Sequence, residues 1–233
     1  MIQRRNGMCY NPLEEHYGMQ GAAGRAFVAR RIAGRFNSRG MRSMELTPEI
    51  LEACYRAGAF PMADGYGGVE FYRSDPRSVL ELDALHVSKS LGRVLRKGVY
   101  EVRIDQAFEG VIRACADREE TWIDAGIIRS FTRLHEAGMA HSVEAYREGA
   151  LAGGLYGVSL GGAFMGESMF SRMRDASKVC LVHLVEHLKE RDFALLDCQI
   201  QNDHLARMGA VEIRGQEYLR RLDHALRLSR TFL

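Results

Sequence analysis

Two short stretches carry polar side chains where the surrounding pattern is apolar. In "FALLDCQIQNDHLARMGA", residues 193–210, strand alternation puts Leu195, Asp197 and Gln199 on one face and Leu196 and Cys198 on the other. A carboxylate and a carboxamide together at the end of an apolar strand can orient a reacting group through hydrogen bonds. A carboxylate that caps a neighbouring helix is the plainer alternative. Cys198 faces away from both and reads as a small core residue rather than a nucleophile. In "GGAFMGESMFSRMRDASKVCLVHLVEHL", residues 161–188, Glu167 falls where a strand-like run hands over to a helix, a place where α/β folds put chemistry. Ser168 is not a nucleophile of the elbow type. That turn needs G-x-S-x-G, and Phe170 stands where the second glycine belongs.

Other patterns carry less. "HLVEH", residues 183–187, matches H-x-x-E-H, but a zinc site needs a third ligand and an open position. Only Glu212, Glu217, Asp223 and His224 remain downstream, without a supporting motif, so no metal is expected. Neither G-x-x-x-x-G-K-[ST] nor G-x-G-x-x-G occurs, so the energy for any bond formed must arrive in an activated substrate. In "VSKSLGRVLRK" the side chains of Lys89, Arg93 and Arg96 form a basic stripe along one helix face. Such a stripe is usually only a solvated face. Six arginines and no acid lie between Gly21 and Met44, and Arg73 and Arg77 follow, so the stripe becomes a candidate phosphate track.

The elements that must position these residues follow from caps and periodicity. Thr47-Pro48-Glu49 starts a helix that ends at Gly58. The glycine-heavy segment after it reads as loop, with one short strand over residues 69–72. Helices are predicted over 87–97, 106–116, 124–137 and 176–190, a strand over 100–104, and a hairpin 141–147/151–158 turning at Glu148-Gly149. A third strand runs into Glu167. A strand over 193–199, a short helix to Met208, a strand over 211–213 and a last helix complete an α+β pattern, one mixed sheet with helices on both faces.

The chain has 233 residues, 46% hydrophobic and 27% charged, as an ordinary globular protein has. No apolar run approaches the roughly 18–20 residues of a membrane span, and "MIQRRNGMCYNPLEE" lacks the apolar stretch of a secretory signal. Five cysteines without C-x-x-C spacing argue for a reducing cytoplasm. Three segments are expected: a basic, flexible extension (1–45), a small N-terminal domain (46–75) and a larger domain (76–233).

The order HSVE, GGLYG, GESMFS, ASK, DCQ and NDH within residues 121–210, with "GAFP…SDPRSVL…LHVSKSL" upstream, closely resembles the leucyl/phenylalanyl-tRNA–protein transferases over roughly Leu46 to Leu222. The resemblance implies a C-terminal domain with the acetyltransferase-like (GNAT/Fem-type) fold of the Fem peptidoglycan transferases, and no cofactor. It implies transfer of Leu, also Phe or Met, from the 3′ acceptor end of aminoacyl-tRNA to the N-terminal amine of proteins beginning with Arg or Lys. The product is marked for degradation, and a cytoplasmic monomer is expected. By motif, Asp197 and Gln199 are the implied catalytic pair, and Glu167 the carboxylate that orients the amines. Asn202 stands beside them. Trp122, Leu155, Phe164, Met169 and Leu181 are implied to line the aminoacyl pocket, and Lys89, Arg93 and Arg96 to bind tRNA. Met62 stands where the family usually has Trp, and Phe71-Tyr72-Arg73 where it has an aromatic pair, which bears on donor preference.

In that chemistry an aminoacyl ester meets an amine of pKa about 7.7–8.0, so no strong base is needed. Gln199 accepts a hydrogen bond from the amine while Asp197 orients and polarises its amide. Two rivals remain at this stage. An acyl-CoA-dependent acetyltransferase would need a pyrophosphate loop, where "GESMFSRMRDASK" has none. A non-catalytic tRNA-binding protein would rest on the basic segments alone.

Overall fold

The computed structural model describes residues 28–31, 46–63, 68–119 and 121–233. The arginine-rich stretch therefore lies outside the described residues, apart from the backbone of strand β1 (Val28–Arg31).

Helix α1 (Pro48–Arg56) begins as read: the Thr47 hydroxyl accepts from Ile50 N and Pro48 occupies the first turn. Gly58, at φ 75°, takes the left-handed conformation that ends it. Strands β2 (Phe60–Ala63) and β3 (Val69–Asp75) pair antiparallel, and β1 adds to the other edge of β3. β2 was read as loop. Pro61 and the flanking glycines hide it, yet a proline is allowed on an edge strand, and β2 is one.

A seven-stranded sheet forms the rest, in the order β10-β4-β9-β8-β7-β6-β5. Its strands are β4 (Arg77–Leu80), β5 (Glu101–Ile104), β6 (Ala140–Arg147), β7 (Ala150–Leu160), β8 (Ala163–Ser171), β9 (Leu195–Gln199) and β10 (Val211–Ile213). β4, also unread in the sequence, inserts between β9 and β10. Every pairing is antiparallel except β8 with β9, whose parallel connection is made by helix α5 (Ala176–Glu190). Other helices are α2 (Lys89–Arg96), α3 (Phe108–Ala116), α4 (Ala125–Glu136), α6 (Asp203–Arg207) and α7 (Gly215–Leu226). The β6–β7 hairpin turns at Glu148 (φ 54°) and Gly149 (φ 78°), the pair of positive φ values that a tight primed turn requires.

Strand alternation divides the apolar side chains between two layers. One holds Tyr55, Ile112, Phe131, Tyr156, Met165 and Leu222 under α1, α3, α4 and α7. The other holds Leu91, Leu155, Phe164, Leu181 and Leu196 under α2 and α5. The mixed α/β class expected from the sequence is the one present.

Candidate active site

Two irregularities in the sheet build the site. On β8, Gly166 faces Gly157 and Ser168 faces Tyr156, so Glu167 is the extra residue of a bulge. The bulge shifts the phase of the strand: Met165 and Phe170 both pack on the α1/α3/α4/α7 side, while Phe164 and Met169 pack on the other. On β9, Ser78 of β4 faces Gln199 and Val79 faces Asp197, leaving Cys198 unpaired in the ladder. The parallel pairing of β8 with β9 covers only Ala163–Leu195, Phe164–Leu196 and Met165–Asp197. Beyond that point the strands part. Glu167 and Gln199 stand on either lip of the gap, with Gln199 Nε2 donating to Glu167 Oε1 at 2.6 Å. Glu167 is therefore not at the end of its strand, as read; β8 continues to Ser171, because a bulge interrupts pairing without ending it.

Asp197 is fully buried, and its oxygens are already engaged. Arg77 donates from Nε to Oδ1 at 2.8 Å and from Nη2 to Oδ2 at 2.6 Å. The Tyr218 hydroxyl donates to Oδ2 at 2.8 Å, and Gln199 N to Oδ1 at 2.9 Å. So Asp197 holds the backbone of Gln199, not its side-chain amide; the amide is oriented by Glu167. This corrects the expected division of labour. The Gln199 carbonyl accepts from Ser74 Oγ at 2.8 Å, so the peptide units on both sides of Gln199 are pinned, and Gln199 is held at φ 60°. A non-glycine residue in that region stores strain, here imposed by fixed partners.

Arg77 belongs to this core and not to a surface phosphate track. It is 1% exposed, its guanidinium lies 4.4 Å from the Tyr218 ring centre and 4.9 Å from that of Phe60, and Nη1 reaches Gly58 O. Burial opposes its charge, but the adjacent Asp197 carboxylate outweighs that, so it stays firmly protonated. Asp75 accepts from Gly215 N at 3.0 Å. Ser74, Asp75 and Arg77 of the SDPR run thus all brace the site from the N-terminal side.

Burial pushes the Glu167 carboxyl up to about 8; the nearby Tyr55 hydroxyl pulls it back, the Asp197 charge adds to the rise, and Gln199 and Arg77 oppose it. Sequence reasoning missed Tyr55 and Tyr156. The Tyr156 hydroxyl is buried without a hydrogen-bond partner among the described residues, the Tyr55 hydroxyl is buried against Glu167, and burial together with the Glu167 charge raises both phenols. Arg118, also unread, donates to Ser168 Oγ at 3.1 Å and to Met169 O at 2.8 Å beside a cavity of about 320 Å³.

Of the expected pocket residues, Leu155, Phe164 and Leu181 are buried together in the layer under α5, with part-buried Met169 against them. They lie on the opposite face of the sheet from Tyr55 and Tyr156. Met62 is 6% exposed and packs in the other layer, with Trp122 at its edge; Ala63 N donates to Trp122 O at 3.3 Å. Asn202 caps α6 through Leu205 N at 2.9 Å. Lys89, Arg93 and Arg96 are exposed on α2, whose other face buries Leu91. His187 of the H-x-x-E-H pattern is committed to the Phe232 carbonyl at 2.6 Å, and His183 is on the surface. No cluster of three metal-ligating side chains occurs among the described residues, and none of the described helices is long and apolar enough to cross a membrane.

Comparison with known proteins agrees with this frame. Residues 79–223 match the model of the leucyl/phenylalanyl-tRNA protein transferases, and residues 44–75 that of their N-terminal domain. A leucyl/phenylalanyl-tRNA–protein transferase of Rubrobacter xylanophilus is 73% identical over 190 residues, covering 81% of this chain and all of that protein. One from Gloeobacter violaceus is 56% identical over 184 residues, 78% of this chain and 95% of its own length. The L-PGS structure from Bacillus licheniformis aligns with 66% of this chain and 51% of its own at 12% identity, with a TM-score of 0.37. With the matched models spanning most of the chain, this protein belongs to the leucyl/phenylalanyl-tRNA–protein transferase family, and is an aminoacyltransferase.

Proposed function

We propose that this transferase moves Leu, and also Phe or Met, from aminoacyl-tRNA onto the N-terminal α-amine of proteins that begin with Arg or Lys, marking them for degradation in the cytoplasm. The observation that carries the reading is the Gln199–Glu167 bridge across the gap between β8 and β9. The carboxylate takes the amide N–H, so Gln199 Oε1 is the end left to face a substrate.

In the reaction the uncharged amine nitrogen attacks the ester carbonyl carbon. The carbon–oxygen bond to the tRNA ribose breaks, and the proton lost by the amine ends on that ribose oxygen, so no net proton is taken up. Gln199 Oε1 accepts a hydrogen bond from the attacking N–H and aligns the lone pair. Glu167 fixes that amide by accepting its N–H. Asp197 acts as a positioning residue, through the backbone of Gln199. The unpartnered Tyr156 hydroxyl is a donor available to polar atoms that enter the gap, while the Tyr55 hydroxyl sits against Glu167.

The gap also accounts for the separation of the two residue sets. An aminoacyl side chain passing between the parted strands enters the apolar layer of Leu155, Phe164, Met169 and Leu181, while its ester remains at Gln199. Met62 and Trp122 flank the other side, Asn202 lies three residues beyond Gln199, and the α2 cations meet the tRNA. We assign residues 46–75 and 76–233 as the two domains and take the active unit as a monomer.

A transfer assay tests this. Leu-, Phe-, Met- and Ala-tRNA are offered with peptides beginning with Arg, Lys, Asp or Glu. Transfer of the first three to Arg and Lys peptides alone is expected; equal transfer to Asp and Glu peptides would overturn the acceptor assignment.

A further inference from the structure

A concavity of about 420 Å³, with none of its lining in the Glu167–Gln199 site, is walled by basic residues from separate elements. Arg93 and Lys97 come from α2 and its C-cap, Arg147 from the end of β6, and Arg174 from the β8–α5 loop. Its floor is apolar: Val94, Val99, Tyr100 and Met173, the last 38% exposed.

A basic stripe on one helix is what solvent exposure alone produces. Four cations brought round one hollow by three elements make a concave surface of one sign, which attracts an anion. Two of the four have an acidic neighbour, each at long range. Arg174 Nε lies 3.5 Å from Asp175 Oδ2, an acid that Lys178 Nζ already holds at 2.7 Å. Glu148 lies 3.7 Å from Arg147 and is itself almost wholly exposed. The hollow is also braced: the Tyr100 hydroxyl donates to Arg174 O at 2.7 Å, fixing the loop against the strand that follows α2.

We propose that the α2 tRNA track extends into this groove, where Arg147 and Arg174 join Arg93 and Lys97 on the sugar–phosphate backbone a few nucleotides before the charged end. The assignment of the anion as tRNA rests on the transferase reading above. β8 links the groove to the reacting centre. It runs on four residues past Glu167 to Ser171, roughly 13 Å at strand rise, and the Arg174 loop follows directly. A strand with its last nucleotide at Gln199 passes this groove as it leaves. The apolar floor suits a ribose or base face lying between two phosphates, as sites for unpaired strands combine cations with an apolar or aromatic platform.

The test uses the full chain with Arg147→Glu, Arg174→Glu and the pair, beside Lys89→Glu as the α2 reference. Uncharged tRNA binding is measured across a salt series, together with peptide KM and thermal unfolding. Each reversal is expected to weaken binding about tenfold at low salt and to flatten the log–log salt slope by about 0.7–0.9. Unfolding should stay unchanged, because both side chains are largely exposed. Unchanged tRNA affinity and slope in the double variant overturns the proposal, whatever Lys89→Glu does. So does a rise in peptide KM at unchanged tRNA affinity, which would assign the groove to the acceptor. If the variants lose tRNA binding while the wild type transfers nothing to peptides, the groove stands and the proposed function falls.

Discussion

Glu167 and Gln199 meet at 2.6 Å across the point where β8 and β9 cease to pair, each displaced from regular strand geometry, one by a bulge and the other by a positive φ. The contact ties together two strands that lack a backbone ladder there. It also leaves one end of the Gln199 amide committed and the other available.

Removing the amide should therefore abolish chemistry without loosening the tRNA. Gln199→Ala is expected to lower single-turnover transfer by about 10²-fold or more at unchanged tRNA affinity, as for a group acting in the transition state. Gln199→Gly should be equally inactive, yet about 1 kcal/mol more stable than the alanine variant, because glycine accepts φ 60° without strain. Urea titration of the two variants measures the difference. Equal stability would mean that the positive φ is not maintained in solution.

The raised Glu167 group fixes the sign of a pH effect. Its folded value of about 8 lies above that of a free carboxyl, so the native state holds a proton that the unfolded chain has released. Stability from this group is present below the unfolded pKa and is lost as pH rises through about 8. Glu167→Gln keeps a hydrogen-bonding partner for Gln199 and removes the titration. Between pH 5.5 and 8.5 the variant should gain on the wild type by on the order of 1–3 kcal/mol. A pH-independent difference between the two would refute the burial argument.

The Arg77–Asp197 pair is expected to behave as a buried ion pair, costly to break from one side. Arg77→Met leaves a buried carboxylate with its main donor gone and should cost about 3–5 kcal/mol. Adding Asp197→Asn to that variant removes the stranded charge and should recover part of the loss. A double-mutant cycle by urea denaturation reads the coupling, and simple additivity would contradict it.

Met62→Trp tests the departure from the usual family residue. At 6% exposure the methionine leaves no room for an indole without repacking, so about 1–3 kcal/mol of stability should be lost. With the adaptable thioether in place, Leu- and Met-tRNA should be used similarly and Phe-tRNA no better. Competition among the three charged tRNAs decides it; a strong wild-type preference for Phe would overturn the expectation.

The polar pair on β9 is legible because Phe193 to Leu196 is an unbroken apolar run, so Asp197 and Gln199 on the face of Leu195 stand out. Glu167 was legible as a carboxylate out of place, but not as a bulge. An inserted residue shifts the period, and no local signal in "FMGESMF" marks it. Arg77 was read as a surface cation because arginines rarely lie fully buried, and its partner is far away in sequence. Strands β2 and β4 were hidden by Pro61 and by their shortness. The N-cap role of Asn202, by contrast, follows from Asn preceding a short helix, and could have been read directly.

β4 also decides when a growing chain becomes an enzyme. Arg77 and Asp197 lie 120 positions apart, and Ser78 pairs with Gln199 across a similar separation. The β6–β7 and β7–β8 pairings join neighbouring segments, whereas this one must first close a long loop. During synthesis Arg77 waits 120 residues for its carboxylate, and Gln199 acquires its pinned geometry only once β9 docks against β4. A ribosome-bound fragment ending before β9 thus carries the α2 cations without the reacting centre. It could hold an RNA but would leave the ester untouched.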